Sequence, residues 1–133
     1  MPSQSLQPSE NVSRFLIEGD IRAKDDSIRP GAFLPSASNL KVSVFRIYEL
    51  SAESIWALAV EKVEPRRGPV IGRGDLSIEV IIENNLQVAP DRDSLSRHAD
   101  IVGWPEDRNL RATIAKDLAR LASPAKKREL SAN

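Results

Sequence analysis

The apolar positions of the chain follow two periodicities, which predicts a domain built from both strands and helices. Residues 41–48 alternate, so that Val44 and Arg46 share one face of a strand. Because apolar residues also occupy the other face of this segment, we expect a central strand that is covered on both sides. Short apolar runs at 13–18 and 98–102 predict two further strands.

Two longer segments have the 3.6-residue spacing of amphipathic helices. The first begins after a Ser51 cap, runs to about Val63 and carries Trp56 on its apolar stripe. The second begins with Pro105 in its first turn and runs to about Ala122. The predicted buried stripe of the second helix consists of Leu110, Ile114, Leu118 and Leu121.

Residues 76–83 fit both a strand and a helix. Their β-branched composition favours a strand, and their isoleucines also fit the inner face of a helix. A hairpin at residues 84–85 would place the apolar residues after the turn on the strand face that carries the glutamates before it. This register would mix apolar and charged side chains on one face, which counts against a hairpin. The pattern therefore favours a short helix that ends with Asn85 in a left-handed conformation, followed by a strand over 86–89.

Strands and helices alternate along the chain, which predicts an α+β fold with a small single mixed sheet and about three packed helices. We expect one domain over residues 13–122. Residues 1–12 are polar and contain two prolines, which predicts a disordered lead-in. Residues 123–133 are predicted to form a flexible tail.

Composition narrows the function mainly by exclusion. The 133 residues carry no net charge, which weighs against a general binder of nucleic acids. The absence of cysteine excludes thiolate metal sites and cysteine nucleophiles, and a single histidine excludes the usual zinc sites, so we predict no metal and no cofactor. No apolar run is long enough for a membrane span and no signal-peptide pattern occurs, so we expect a cytoplasmic bacterial protein without membrane contact.

The single histidine opens the stretch with the most candidate chemistry. On a strand over 98–102, His98 and Asp100 point to the same face, where a carboxylate can orient an imidazole for acid–base catalysis. The alternative is structural: Asp100 bonds an arginine and His98 bonds the polar connection before it. The turn over 103–105 joins this strand to the last helix.

An arginine within the predicted central strand is the second candidate. Arg46 has apolar neighbours and therefore needs a carboxylate, backbone carbonyls or a ligand anion. An internal ion pair is the structural alternative. We predict Arg97, Trp104, Asp75 and Arg73 as further binding residues.

Several segments together resemble a group of small uncharacterised bacterial proteins with an Arg-His-Ala-x-Ile-x-Gly-Trp-Pro stretch. The resemblance covers about residues 40–122 and rests on Ser43–Ile47, Leu50–Ser51, Ile55–Trp56, Arg73–Asp75, Arg97–Ile101 and Gly103–Pro105. That group has no known activity, so the resemblance implies no catalytic role. It singles out Arg46, Asp75, His98 and Trp104 as one candidate constellation.

These observations predict a non-enzymatic accessory or binding module of a larger bacterial assembly, with a larger protein as partner. The alternative is a small metal-independent enzyme that acts on a nucleotide or phosphodiester. In that hypothesis His98 is the acid or base, and Arg46 or Arg97 holds an anion. A third hypothesis is nucleic-acid binding through arginines of residues 66–73 and the basic residues 126–128. The sequence does not determine the oligomeric state.

Overall fold

Six strands form one sheet in the computed structural model, which describes residues 6–92 and 96–126. The strands are β1 (Asn11–Ile17), β2 (Val42–Arg46), β3 (Val70–Ser77), β4 (Gln87–Pro90), β5 (His98–Val102) and β6 (Ser123–Lys126). The helices are α1 (Ala52–Lys62), α2 (Glu64–Arg67), α3 (Ile78–Glu83) and α4 (Arg108–Leu121). The predicted small α+β fold is thereby confirmed.

The sheet has the order β4-β5-β2-β1-β3-β6, and its pairings among the described residues are all antiparallel. The prediction of a mixed sheet is therefore wrong. Alternation of strands and helices suggested parallel neighbours, and the helical connections do join strands of the same direction. Each of these connections passes over at least one antiparallel strand, however, as α1 does when it leads from β2 across β1 to β3.

Each face of the sheet has its own apolar cluster. Helices α3 and α4 and a 3-10 turn over Pro30–Phe33 cover one face, where Phe33 and Leu118 are fully buried. Helix α1 covers part of the other face and packs Trp56 near Phe15. Strand β2 contributes to both clusters, as expected for a central strand.

The folded region extends beyond the predicted domain at both ends. Val12 is in the core, and the backbone carbonyls of Pro8 and Glu10 accept hydrogen bonds from the first two amides of α3. At the other end β6 pairs with β3. Backbone hydrogen bonds order these segments although their composition is polar, so the predicted boundaries at 12 and 123 are wrong. Residues 1–5, 93–95 and 127–133 lie outside the described residues.

Helix α4 differs from its prediction at its start and in its buried face. It begins at Arg108, because the Asp107 carboxylate accepts hydrogen bonds from the amides of residues 109 and 110. Leu110 and Leu121 are 53% and 42% exposed, contrary to the prediction. Leu118 of the predicted stripe is fully buried, and Ala115, Ala119 and Ala122 complete the buried face. Small residues on this face allow α4 to pack closely on the sheet.

The segment around residue 77 contains both of the structures that its pattern suggested. Strand β3 ends at Ser77, whose side chain accepts a hydrogen bond from the Val80 amide and caps α3. Asn85 follows with a φ of 66°, so the predicted short helix with a left-handed end is confirmed. Asp75, one of the predicted binding residues, belongs to β3.

Candidate active site

A cleft of about 580 Å³ lies on the face of the sheet that α1 only partly covers. Strands β1, β2 and β5 supply its floor, which includes Phe15, Ser43, Phe45 and His98. The end of α1 and the short helix α2 supply its wall. The cleft therefore combines an apolar floor with polar side chains from several elements.

The cleft lies where two central strands separate. Strands β1 and β2 pair at only two positions, and Arg14 follows directly after the second of them. Its side chain occupies the gap, where Nε donates to the carbonyl of Ala32 and Nη1 donates to the carbonyl of Ser43, both at 2.9 Å. These two bonds fix the guanidinium in the gap between the strands, and Arg14 reaches the lining of the cleft there.

Arg14 has no carboxylate in ion-pair contact among the described residues. Burial is the main cause of its lowered pKa, which is about 10. The positive charge of Arg67 lowers this pKa further, whereas the carboxylate of Asp20 acts in the opposite direction. A guanidinium held in this way has a positive charge available to an anionic ligand.

Further cations line the wall beside Arg14. Lys62, Arg66 and Arg67 belong to the cleft, against the two carboxylates of Glu61 and Asp91. Arg67 donates to the carbonyl of Phe15 at 2.9 Å and lies 3.5 Å from Asp20. The described lining therefore contains four cationic side chains and two carboxylates, which favours a negatively charged occupant.

His98 projects into the cleft between two polar partners. Its Nε2 lies 2.9 Å from the Ser43 hydroxyl oxygen, and its Nδ1 lies 3.5 Å from Asp91 Oδ2. The ring also contacts Phe45 edge-on, with 5.4 Å between centroids. Arg97 precedes His98 with a φ of 60°, and β5 begins at His98. The imidazole therefore has a hydroxyl on one nitrogen and a carboxylate near the other.

Asp100 shares the face of His98, as predicted, but it is not the nearest partner. Its Oδ1 lies 3.5 Å from Nε2, which is long for a hydrogen bond. Ser43, on the neighbouring strand, is closer and was not predicted as a site residue. Pairing of Phe45 with His98 places Ser43 diagonally opposite the imidazole, and only the strand register contains that information.

The structure places Arg46 away from His98. Residues alternate along β2, so Arg46 points to the face opposite Phe45 and His98. Its Nε lies 2.6 Å from Glu10 Oε2 and its Nη2 lies 3.0 Å from Glu10 Oε1. The prediction that Arg46 shares a site with His98 is therefore wrong, and the internal ion pair that was its alternative is present.

The other predicted binding residues also lie outside this cleft. The Arg97 guanidinium donates to the carbonyls of residues 46 and 48 and stacks on the ring of Tyr48. Trp104 is buried and donates from Nε1 to the carbonyl of Ile101 at 3.0 Å. Arg73 pairs with Asp75 at 3.2 Å and stacks on an indole of α1. All four side chains make internal contacts, and Arg73 Nη1 and Asp75 Oδ1 are buried without a hydrogen-bond partner in the described part of the chain.

Within residues 6–92 and 96–126, no group of three or more histidines and carboxylates could hold a metal ion. In the same part of the chain, none of the helices has the length and apolarity needed to cross a bilayer. Comparison with protein-family models, with curated proteins and with solved structures found no match. The function is therefore inferred from the geometry of the cleft.

Proposed function

We propose that this protein is a small enzyme that binds a phosphate ester in the cleft and uses His98 as its acid–base group. One observation carries the proposal: the imidazole projects into the same cleft as the guanidinium of Arg14, which has no ion-pair partner in the described part of the chain. Arg14 takes the role that the sequence suggested for Arg46.

The charge of the cleft supports an anionic substrate. A guanidinium offers planar, fixed donors that match phosphate oxygens, and Arg14 is already held in place by two carbonyls. Lys62 and Arg66 are exposed on the wall and can approach a second oxygen. Phe15 and Phe45 supply apolar surface for the remainder of the substrate, which suits an aryl or nucleobase group.

The surroundings of His98 support proton transfer. When the ring proton is on Nδ1 and faces Asp91, Nε2 accepts a hydrogen bond from the Ser43 hydroxyl. The same nitrogen can take a proton from an attacking hydroxyl or water molecule. A metal ion is not needed for this chemistry, because Arg14 supplies the positive charge next to the reacting group.

The two other hypotheses from the sequence have less support in the geometry. The accessory module with a larger partner stays a prediction, since its support was the lack of a recognisable catalytic set. Nucleic-acid binding was assigned to arginines of residues 66–73, but Arg73 is in an internal ion pair. Residues 127 and 128 of the basic tail lie outside the described residues.

The test uses bis(p-nitrophenyl) phosphate, a chromogenic diester with one negative charge and two aryl groups. We expect the full chain to hydrolyse it faster than buffer does, with or without EDTA. His98→Gln should lower kcat/KM by about 100-fold or more, as for loss of a general acid–base group. Arg14→Gln should raise KM and lower kcat, since it removes a phosphate contact and the positive charge beside the reacting group.

Arg108→Gln is the matched control, because Arg108 is exposed at the start of α4 and does not line the cleft. It should leave kcat and KM unchanged. The proposal is overturned if the folded wild-type chain hydrolyses neither this diester nor p-nitrophenyl phosphate, and if inorganic phosphate does not bind.

A further inference from the structure

We propose that Ser43 is the nucleophile of this reaction and that catalysis proceeds through a covalent phosphoryl-serine intermediate. The inference rests on the proposed function and goes further, because acid–base catalysis by His98 alone would activate a water molecule and form no bond to the protein.

The polar partners of His98 support a serine nucleophile. Ser43 Oγ lies 2.9 Å from Nε2, within the distance needed for direct proton transfer. Asp91 lies on the opposite side of the ring, 3.5 Å from Nδ1. Hydroxyl, imidazole and carboxylate therefore follow one another in the order that activates a serine in hydrolases on unrelated folds.

The elements that carry these groups hold the nucleophile more firmly than the carboxylate. Ser43 is on the central strand β2, and its hydroxyl belongs to the floor of the cleft. Asp91 follows β4 directly, and its amide donates to the carbonyl of His98 at 2.9 Å. Its side chain is 43% exposed, so Asp91 is a positioning residue that acts through His98.

Arg14 supplies the charge that the reaction needs beside Ser43. Its Nη1 donates to the carbonyl of Ser43 itself, so the guanidinium lies next to the residue that would attack phosphorus. Negative charge on the phosphoryl oxygens grows in the transition state and is stabilised by a fixed cation there. The position of Arg14 is thus explained by the proposed attack as well as by substrate binding.

The reaction balances without a cofactor. Ser43 Oγ attacks phosphorus while its proton moves to His98 Nε2, and the bond from phosphorus to the leaving alcohol breaks. The departing oxygen lies in line with Ser43 Oγ on the far side of phosphorus, so it takes its proton from solvent water while His98 keeps the serine proton. Water then attacks phosphorus from that side and loses its proton to solvent, and His98 Nε2 returns the stored proton to Ser43 Oγ as the bond from Oγ to phosphorus breaks. Asp91 stabilises the imidazolium until that proton is returned.

The experiment uses p-nitrophenyl methylphosphonate, an anionic ester whose phosphonyl-serine adduct is expected to hydrolyse slowly. We expect the wild-type chain to release one equivalent of p-nitrophenolate in a burst and to gain a methylphosphonyl group on the peptide containing Ser43, detected by mass spectrometry. Ser43→Ala should give no adduct. Ser38→Ala, which removes an exposed hydroxyl outside the cleft, should be labelled like the wild type.

Three further variants separate catalysis from misfolding. His98→Gln should slow labelling about 100-fold. Asp91→Asn should slow it about tenfold or more, and Asp91→Glu should recover part of the rate, because a carboxylate and not only a hydrogen-bonding group is needed. Both changes at Asp91 affect an exposed side chain, so the fold should persist.

The outcomes distinguish the two proposals. If His98→Gln abolishes hydrolysis of the diester while Ser43→Ala retains most of it and no adduct forms, the nucleophile assignment is wrong and the proposed function stands. Labelling at a residue other than Ser43 also overturns the assignment. If the wild-type chain hydrolyses neither the diester nor p-nitrophenyl phosphate, does not bind inorganic phosphate and does not react with the phosphonate, both proposals fail together.

Discussion

Two arginines on the central strands are held in different ways, and the difference separates a structural side chain from a functional candidate. Arg46 is 5% exposed and is neutralised by Glu10 through two hydrogen bonds. Arg14 is bound only by backbone carbonyls among its described hydrogen bonds, which satisfy its donors without cancelling its charge. A sequence pattern cannot make this distinction, because the partners lie 18 to 36 residues away.

The ion pair of Arg46 predicts a large effect of one substitution. Glu10→Gln should lower the free energy of unfolding by about 3 to 5 kcal/mol, since it removes the carboxylate charge that lies 2.6 Å from a buried guanidinium. Hydrogen bonds to Glu10 raise the pKa of Arg46 above its ordinary value, so the contribution of the Arg46 charge to stability is fully present at neutral pH and is lost only as pH rises through the raised pKa. Urea denaturation at neutral pH measures the loss.

Glu18→Gln is the control for this change, because Glu18 is exposed. Its unfolding free energy should stay within about 0.5 kcal/mol of the wild type, as is usual for surface substitutions. A Glu10→Gln variant as stable as the Glu18→Gln variant would contradict the role assigned to the pair.

The lowered pKa of Arg14 predicts how anion binding depends on pH. The guanidinium loses its charge as pH rises through about 10, so the affinity for inorganic phosphate should fall there. The folding stability depends on pH in the opposite direction. The buried charge of Arg14 disfavours folding below this pKa, and this free-energy cost decreases as pH rises above it. Calorimetric titration of phosphate from pH 8 upward, within the stable range, measures the affinity.

Arg14→Gln should bind phosphate weakly throughout this pH range, whereas Arg108→Gln should reproduce the wild-type curve. A wild-type affinity that is unchanged across pH 10 would show that Arg14 does not contact the anion.

At the scale of elements, local patterns identified strands and helices better than they identified their contacts. The bounds of β5 were predicted correctly, and the Ser51 cap of α1 is present. Strand β3 was missed because Gly72 and Gly74 made its first half resemble a loop. Both glycines are instead buried in the sheet.

Gly74 shows how closely those elements approach. A Cβ at this position would lie 2.7 Å from Ile28 Cδ1 and 3.3 Å from the Cβ of Ala122. Gly74→Ala should therefore destabilise the protein by about 1 to 3 kcal/mol through overpacking. Thermal or urea denaturation measures the change.

A second substitution tests the cause. Ile28→Val removes the Cδ1 atom and should reduce the effect of Gly74→Ala in a double-mutant cycle. Gly31→Ala serves as the control, because a Cβ at Gly31 would meet no atom within 4 Å apart from those of its chain neighbours, and its φ is not positive. Equal losses at Gly31 and Gly74 would exclude a packing explanation.

At the scale of the whole molecule, the candidate site depends on the order of the strands. Ser43, His98 and Arg14 come from β2, β5 and β1, which are neighbours in the sheet but distant in the chain. The sequence identified His98 as a candidate, because a single histidine on an amphipathic strand is conspicuous. It could not identify Ser43 or Arg14, since their roles depend on register and on the separation of β1 from β2.

The edge position of β4 has a consequence for association between chains. The amide of Asp91 points inward to the carbonyl of His98, so the preceding residue, Pro90, faces the open edge. A proline there has no N–H to offer to an incoming strand. Addition of a foreign strand is thereby discouraged at the edge next to Asp91, where it would obstruct the entrance beside His98.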